Sequence, residues 1–385
     1  MGREKRKALL QRVEELRGSR VVTYVTGDRA PTPAQIGDDA VRPIYEHLRE
    51  MGRVKKLDLF LYSRGGAIDV PWRIASALRT VADEWNVLVP FRANSAATLL
   101  ALGADHIVMG PQGELGPIDP IMNVQRVISA PGGQQGTFVQ ETVNVEDIMA
   151  YIRFARERAG LSDQSAISSS LEGLTQRLDA VVLGSAYRTH SHIRDVARRM
   201  LLSRREPPNE QATQTIIETL AERVYAHGHA IGRREALDIG LPVDAAEGDL
   251  DQTLWDLLRT YEEDLSLLMP IDPFEVTKTE DVYREPGVIA IIESTWAVHE
   301  FGGETEVRAK RQMPPNLSVN LNLNLQLPPQ IQADQLPAAL QGLVQQAQQA
   351  LLEAAQQAVQ EAMKAQAPMA GLEAAFRGAL WKRSP

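Results

Sequence analysis

A chain of 385 residues, 44% hydrophobic, with 41 Lys and Arg against 50 Asp and Glu, has enough apolar content for a sizeable core and a formal net charge of −9. These values exclude disorder throughout and argue against a surface built to neutralise nucleic-acid phosphates. Cysteine is absent, which removes disulfides, thiolate metal sites and cysteine nucleophiles together, leaves catalysis to oxygen or nitrogen nucleophiles, and is compatible with a reducing cytoplasm. The start of the chain is charged, and no run reaches the roughly 18 to 20 apolar residues of a membrane span, so a soluble cytoplasmic protein without a cleaved signal is expected.

From about Arg3 to Arg17, Leu9, Leu10, Val13 and Leu16 recur at helical spacing among charges and predict an amphipathic leader helix. Residues 20–26 (RVVTYVT) read as a strand, 38–51 as a helix, 56–62 (KLDLFLY) as a second strand, 71–85 as a helix, 86–91 as a short apolar strand, and 96–103 as a small-residue helix. Alternation of strand and helix predicts an α/β fold, a largely parallel sheet flanked by helices, with ligand chemistry at the carboxyl ends of the strands. Another short strand is expected at 106–109, then a rigid Gly- and Pro-rich loop at 110–120. The polar, glycine-rich stretch 125–136 lacks periodicity and reads as a surface flap.

Helical runs follow at about 144–160, 163–181, 188–203 and 209–226, ending in a turn and short helix over 227–243. In the last third, 288–295 reads as a strand and 316–327 (NLSVNLNLNLQL) alternates with period two, the signature of a strand with one apolar face. The Gln- and Ala-rich segment 334–366 predicts a long helix or a coiled pair. Three parts are expected: a large α/β domain at 1–250, a small mixed segment at 251–312, and a strand-plus-helix extension at 313–385 that serves oligomerisation or binds a partner protein, or is merely solvated. Trp381 reads either as a partner anchor or as an isolated exposed aromatic.

Chemistry concentrates in Ala93-Asn94-Ser95-Ala96-Ala97-Thr98. A serine between an apolar strand and a helix lies where amides are unpaired and the local dipole favours negative charge; the plainer reading is a helix N-cap. The amide of Ala96 is a candidate oxyanion donor. Gly65-Gly66, after the preceding strand, frees further amides that can meet a developing oxyanion; the plainer reading is a tight turn.

The runs at 57–66 (LDLFLYSRGG), 89–98 (VPFRANSAAT), 101–110 (ALGADHIVMG) and 115–120 (LGPIDP) resemble the serine dehydrogenase proteinase family, a relative of ClpP and of signal peptide peptidase A, over about residues 5–245. The resemblance implies a ClpP/crotonase-like fold and a serine peptidase with a Ser, Asp, His triad and no cofactor or metal. It places the nucleophile at Ser95, the carboxylate at Asp119, and the base at His227 or His229, the family spacing putting it four residues before Ile231. Arg64, where the family has proline, and Asn94 are the expected substrate contacts, and Ala97 stands where the family has glycine. A peptide or unfolded-protein substrate and a homo-oligomer are implied. The rival readings are crotonase-like acyl-CoA chemistry and an inactive scaffold. His190-Ser191-His192 and His227-Gly228-His229 also have the look of metal-binding pairs, without a cysteine or an HExxH helix to support it.

Overall fold

The computed structural model describes residues 2–128, 137–159, 163–175, 178–223, 228–312 and 338–384. In chain order they form α1 (Gly2–Arg17), β1 (Arg20–Thr26), α2 (Val41–Met51), β2 (Val54–Tyr62), α3 (Val70–Val81), β3 (Ala82–Val89), β4 (Arg92–Ala93), α4 (Ala96–Leu102), β5 (Ile107–Met109) and β6 (Glu114–Leu115). Next come β7 (Ile121–Ile128), β8 (Thr137–Asn144), α5 (Val145–Glu157), α6 (Gln164–Thr175), α7 (Ala180–Leu202), α8 (Glu210–Glu218), β9 (Ile231–Gly232), α9 (Arg233–Ile239), β10 (Val243–Ala245) and α10 (Gly248–Asp264). The chain closes with α11 (Pro273–Val276), β11 (Val282–Ser294), β12 (Val298–Arg311), α12 (Ala338–Gln366) and β13 (Met369–Ser384). One compact unit comprises Met1–Pro270, Gly287–Gly303 and Gly378–Pro385; the other comprises Ile271–Pro286 and Glu304–Arg377.

The larger unit is an α/β fold. Its sheet runs β10-β5-β3-β2-β1-β11 and on to β12 and β13. The first five strands are parallel and β11 is antiparallel to β1. Period-two geometry sorts β2 onto two cores. Leu57, Leu59 and Leu61 join Trp85, Val87 and Val89 with α2, α3, α4 and α7 on one face. Phe60 and Tyr62 join Leu88 and Val108 with α1 and α10 on the other. Since β2 and β3 are parallel neighbours, the residues following each emerge at the same edge, which brings Gly65-Gly66 and Ser95 together.

Several expected boundaries move, each because a distant partner outweighs local pattern. The helix expected over 71–85 ends at Val81, since β3 pairs with β2 from Val54↔Ala82 onward. The run expected at 163–181 is two helices; Asp179 starts the second by accepting from the Val181 amide at 2.7 Å. The expected flap is in strand up to Ile128, in an antiparallel hairpin with β8 from Ile121↔Asn144 to Ile128↔Thr137. Backbone bonding needs no alternation of side chains, so a polar sequence hides it. Residues 129–136 and the expected strand at 316–327 lie outside the described residues. The Gln- and Ala-rich segment forms α12 in the smaller unit.

Polar contacts buried in the larger unit fasten its sheet to the helices. Arg6 donates from Nε to Glu293 at 2.5 Å and pairs with Asp264, and the Tyr261 hydroxyl donates to Glu293 at 2.9 Å. On the opposite face, His47 Nδ1 meets Ser294 Oγ at 2.7 Å, its Nε2 meets His299 Nδ1 at 3.0 Å, and His299 reaches Glu46 at 3.2 Å. Trp381 belongs to the same face: its Nε1 donates to Asp39 at 2.6 Å and its ring packs on Phe301 at 5.1 Å. Trp381 therefore anchors the chain's own terminal strand.

Burial, with the charges of His299, Arg383 and Arg3, pushes His47 down to about 3. The unfolded chain binds a proton at this residue from about pH 6.5 downward while the folded chain does not, so stability is present above about pH 6.5 and is lost as pH falls toward 3. Chemical denaturation should show the wild type losing roughly 2 kcal/mol more than His47→Gln between pH 6.5 and pH 5. Parallel pH dependence in the two proteins would contradict this.

Candidate active site

The diglycine loop and the serine turn are built against each other. After β2, Gly65 and Gly66 take φ of +112° and +152°, a region that disfavours side chains. A Cβ on Gly65 would stand 2.8 Å from Ser95 Cβ and 2.9 Å from the Asn94 carbonyl; one on Gly66 would stand 2.3 Å from the Ile36 carbonyl oxygen. Ser63, fully buried, holds the loop: its Oγ accepts from the Gly65 amide at 3.0 Å and from the Thr26 hydroxyl at 2.7 Å.

Ser95 itself sits at φ 53°, ψ −116°, a strained conformation for a residue with a side chain. Its hydroxyl makes no cap bond to α4, which removes the plain N-cap reading. A sharp strand-to-helix turn of this kind presents a serine oxygen clear of the backbone. Among the described residues the amides of Gly66 and Ala96 have no acceptor, whereas the Gly65 amide is taken by Ser63. Of the three expected oxyanion donors, two thus remain open beside Ser95.

A small sheet in the order β4-β6-β9 gathers the other segments. Ala93 pairs with Leu115 and Leu115 with Ile231, the first pair parallel and the second antiparallel. Continuing forward from β4 and β6 and backward from β9 leads to the same end of this sheet, which is where Ser95, the loop that carries Asp119 and residues 228–230 emerge. Adjacent strands lie about 4.8 Å apart, so β4 and β9 are separated by about 10 Å. The Thr98 hydroxyl pins the loop between, bonding the Ala93 carbonyl at 2.7 Å and accepting from the Gly116 amide at 3.0 Å.

Asp119 is 6% exposed and accepts from Asn144 Nδ2 at 2.7 Å. It lines a cavity of about 400 Å³ together with Asn144, Glu146, Arg153 and Glu222. Arg194 donates to Glu222 at 2.7 Å, and Arg153 pairs with it as well. Burial of Glu222 raises its carboxyl, but the Arg194 hydrogen bond and the two guanidinium charges prevail and hold it below the usual carboxylate range.

His227 lies outside the described residues. His229 is exposed, its Nε2 meeting both oxygens of Glu235 at 2.9 and 3.0 Å. The histidines at 190 and 192 do not act as a pair: His190 meets Glu146 at 2.8 Å and His192 meets Asp69 at 2.5 Å. Arg64 donates from Nε to Asp28 at 2.6 Å, beside Arg92 and the Tyr62 hydroxyl on the same carboxyl. Burial raises Asp28, yet the bonds from Arg64 and Tyr62 and the two arginine charges hold it low. Asn94 Oδ1 is buried without a hydrogen-bond partner. Ser63, Thr98 and Asn144 escaped the sequence reading. Only Asn144 carried a local signal, as a capping residue ahead of an amphipathic helix.

Residues 2–132 match the family model of the ClpP-like SDH-type serine proteinases. That segment, which holds the diglycine loop, Ser95 and Asp119, is similar to this serine proteinase family. Among curated relatives, the uncharacterized protein MJ0137 of Methanocaldococcus jannaschii is 23% identical over 261 residues, covering 66% of this chain and 78% of the relative. The uncharacterized protein MJ1495 of the same organism is 30% identical over 128 residues, 30% of this chain and 42% of that protein, so the chain spans under half of that second relative. Among solved structures, a mutant of the 1510-N membrane-bound stomatin-specific protease aligns at 14% identity and TM-score 0.33, covering 59% of this chain and 79% of that one. ClpP1 from Listeria monocytogenes aligns at 13% and 0.31, covering 61% and 96%.

Adding a methyl group at Gly65 should force the loop away from Ser95. Gly65→Ala is expected to slow serine-directed fluorophosphonate labelling more than a hundredfold and to cost about 1–3 kcal/mol of stability. A labelling rate equal to the wild type would refute the close packing.

Proposed function

We propose that this protein hydrolyses peptide bonds through an acyl-enzyme formed on Ser95, with Asp119 and a histidine of the 227–229 segment as its partners. The observation that carries the reading is the strained, uncapped Ser95 turn beside two open amides. The Ser95 oxygen attacks the scissile carbonyl while histidine takes its proton and returns it to the leaving amine. The amides of Gly66 and Ala96 receive the developing oxyanion, and Asp119 holds the imidazole tautomer and its cationic form. Water then repeats the sequence on the acyl group. Crotonase-type chemistry also uses paired amides but gives a strained serine no task.

The substrates are peptides or unfolded polypeptides, engaged by Arg64 and Asn94 flanking the site. The terminal nitrogens of Arg64 are the atoms that reach substrate carbonyls or a carboxylate, since its Nε is committed to Asp28. We place the protein in the cytoplasm as a homo-oligomer, residues 313–385 forming its assembly or partner-binding segment.

Ser95→Ala should abolish fluorophosphonate labelling and hydrolysis of a fluorogenic peptide while leaving the melting temperature within a few degrees. Asp119→Asn and the variant of whichever histidine serves as base should each lower kcat by at least a thousandfold. Undiminished labelling of Ser95→Ala would end the assignment, and tight binding of a CoA ester by an unlabelled wild type would replace it with acyl-CoA chemistry.

A further inference from the structure

The segment joining β8 to α5 makes a contact that the chain's other helix starts do not require. Asn144 precedes α5 and its Oδ1 accepts from the Glu146 amide at 2.8 Å, an ordinary helix cap. Because that amide can only donate, the other end of the side chain is the NH2 group, and it points at Asp119 Oδ2, 2.7 Å away. The Val145 amide meanwhile donates to the Pro120 carbonyl at 3.0 Å. Two bonds, one from side chain and one from backbone, thus seat the Asp119-Pro120 turn on the start of α5.

We propose that Asn144 is a positioning residue that sets the plane of the Asp119 carboxylate toward the catalytic imidazole. This rests on the triad reading above. The torsion that turns a carboxylate about its own axis is broad and weakly restrained. A donor fixed on Oδ2 restrains that torsion, as the orienting acid of a triad requires. The choice of residue type follows from the double task. Ser, Thr or Asp would cap α5 about as well as Asn. Only the amide offers an acceptor to Glu146 and a donor to Asp119 at once; an aspartate would set one carboxylate against another, and a serine is too short to span both.

Capping and positioning come apart in the variants. Asn144→Ser and Asn144→Asp both keep an acceptor at the cap, and Asn144→Ser, which sets no second charge against Asp119, should melt within a few degrees of the wild type. With the fluorogenic peptide, each is expected to lower kcat about 10- to 100-fold, the loss of one charge-assisted hydrogen bond, with KM within about twofold. In Asn144→Ser the acid limb of the kcat/KM profile should move to lower pH, because a misaligned carboxylate stabilises the imidazolium less. A residue that only capped the helix would move neither kcat nor the limb. If Ser95→Ala and Asp119→Asn abolish turnover while Asn144→Ser keeps wild-type kcat and pH profile, this inference fails alone. If Ser95→Ala or Asp119→Asn stays active, the triad reading fails with it.

Discussion

The absence of a side chain on Gly65 is the constraint on which the site depends. Its α-carbon lies so close to the Ser95 turn that one added carbon would overlap Ser95 Cβ, and its positive φ excludes most replacements on conformational grounds as well. That approach keeps Ser95 in a conformation a free chain would leave, since strained backbone persists only where its surroundings over-determine it. Ser63 supplies part of that determination from below by taking up the Gly65 amide. The turn in consequence leaves its hydroxyl without a cap bond to α4 and, among the described residues, the Gly66 and Ala96 amides without an acceptor.

Rigidity around this contact comes from the two sheets. The parallel strands β2 and β3 are buried on both faces, so neither can slip by one residue without moving its leucine row from one core into the other, where the packing does not fit. The minor sheet β4-β6-β9 then ties the serine turn to loops that lie more than twenty and more than a hundred residues further along. Thr98 closes the remaining gap, bridging α4 to the Gly116 amide, where any Cβ would press on Asn94. Three distant stretches of chain, at 92–93, 114–115 and 231–232, are thus joined by ladders of backbone bonds and not by loops alone.

Charge is used differently in different parts of the larger unit. At the Arg6–Glu293–Tyr261 cluster, the ions are sealed and mutually satisfied, so removing one partner would strand a buried charge. Around Asp28, two arginines and a tyrosine hydroxyl converge on one carboxylate at the mouth of the diglycine loop, which fixes Arg64 by one nitrogen and leaves its outer edge facing solvent. Near Asp119, acids and arginines line one cavity together. The first arrangement supports the fold; the other two border the site.

What could be read from the residues alone was whatever repeats or punctuates locally. The apolar runs of β1, β2 and β3, the helices between them and the glycines after β2 announce an α/β sheet with Gly65-Gly66 and Ser95 at one edge, because strand and helix periods are properties of short windows. The residues also carried the family resemblance. Hydrogen-bond allocation was not legible. That Ser63 consumes the Gly65 amide, that a polar stretch through Ile128 becomes a hairpin strand, that Trp381 docks on Asp39 and Phe301, and that Asn144 serves both α5 and Asp119 each depend on a partner dozens to hundreds of residues away or on the exact fold of a turn. Sequence determined the central strands β1, β2 and β3, the helices between them, and where the glycines permit close approach. Tertiary structure decided which donors meet which acceptors, since nearly all buried polar groups find partners and only the folded chain settles which ones are within reach.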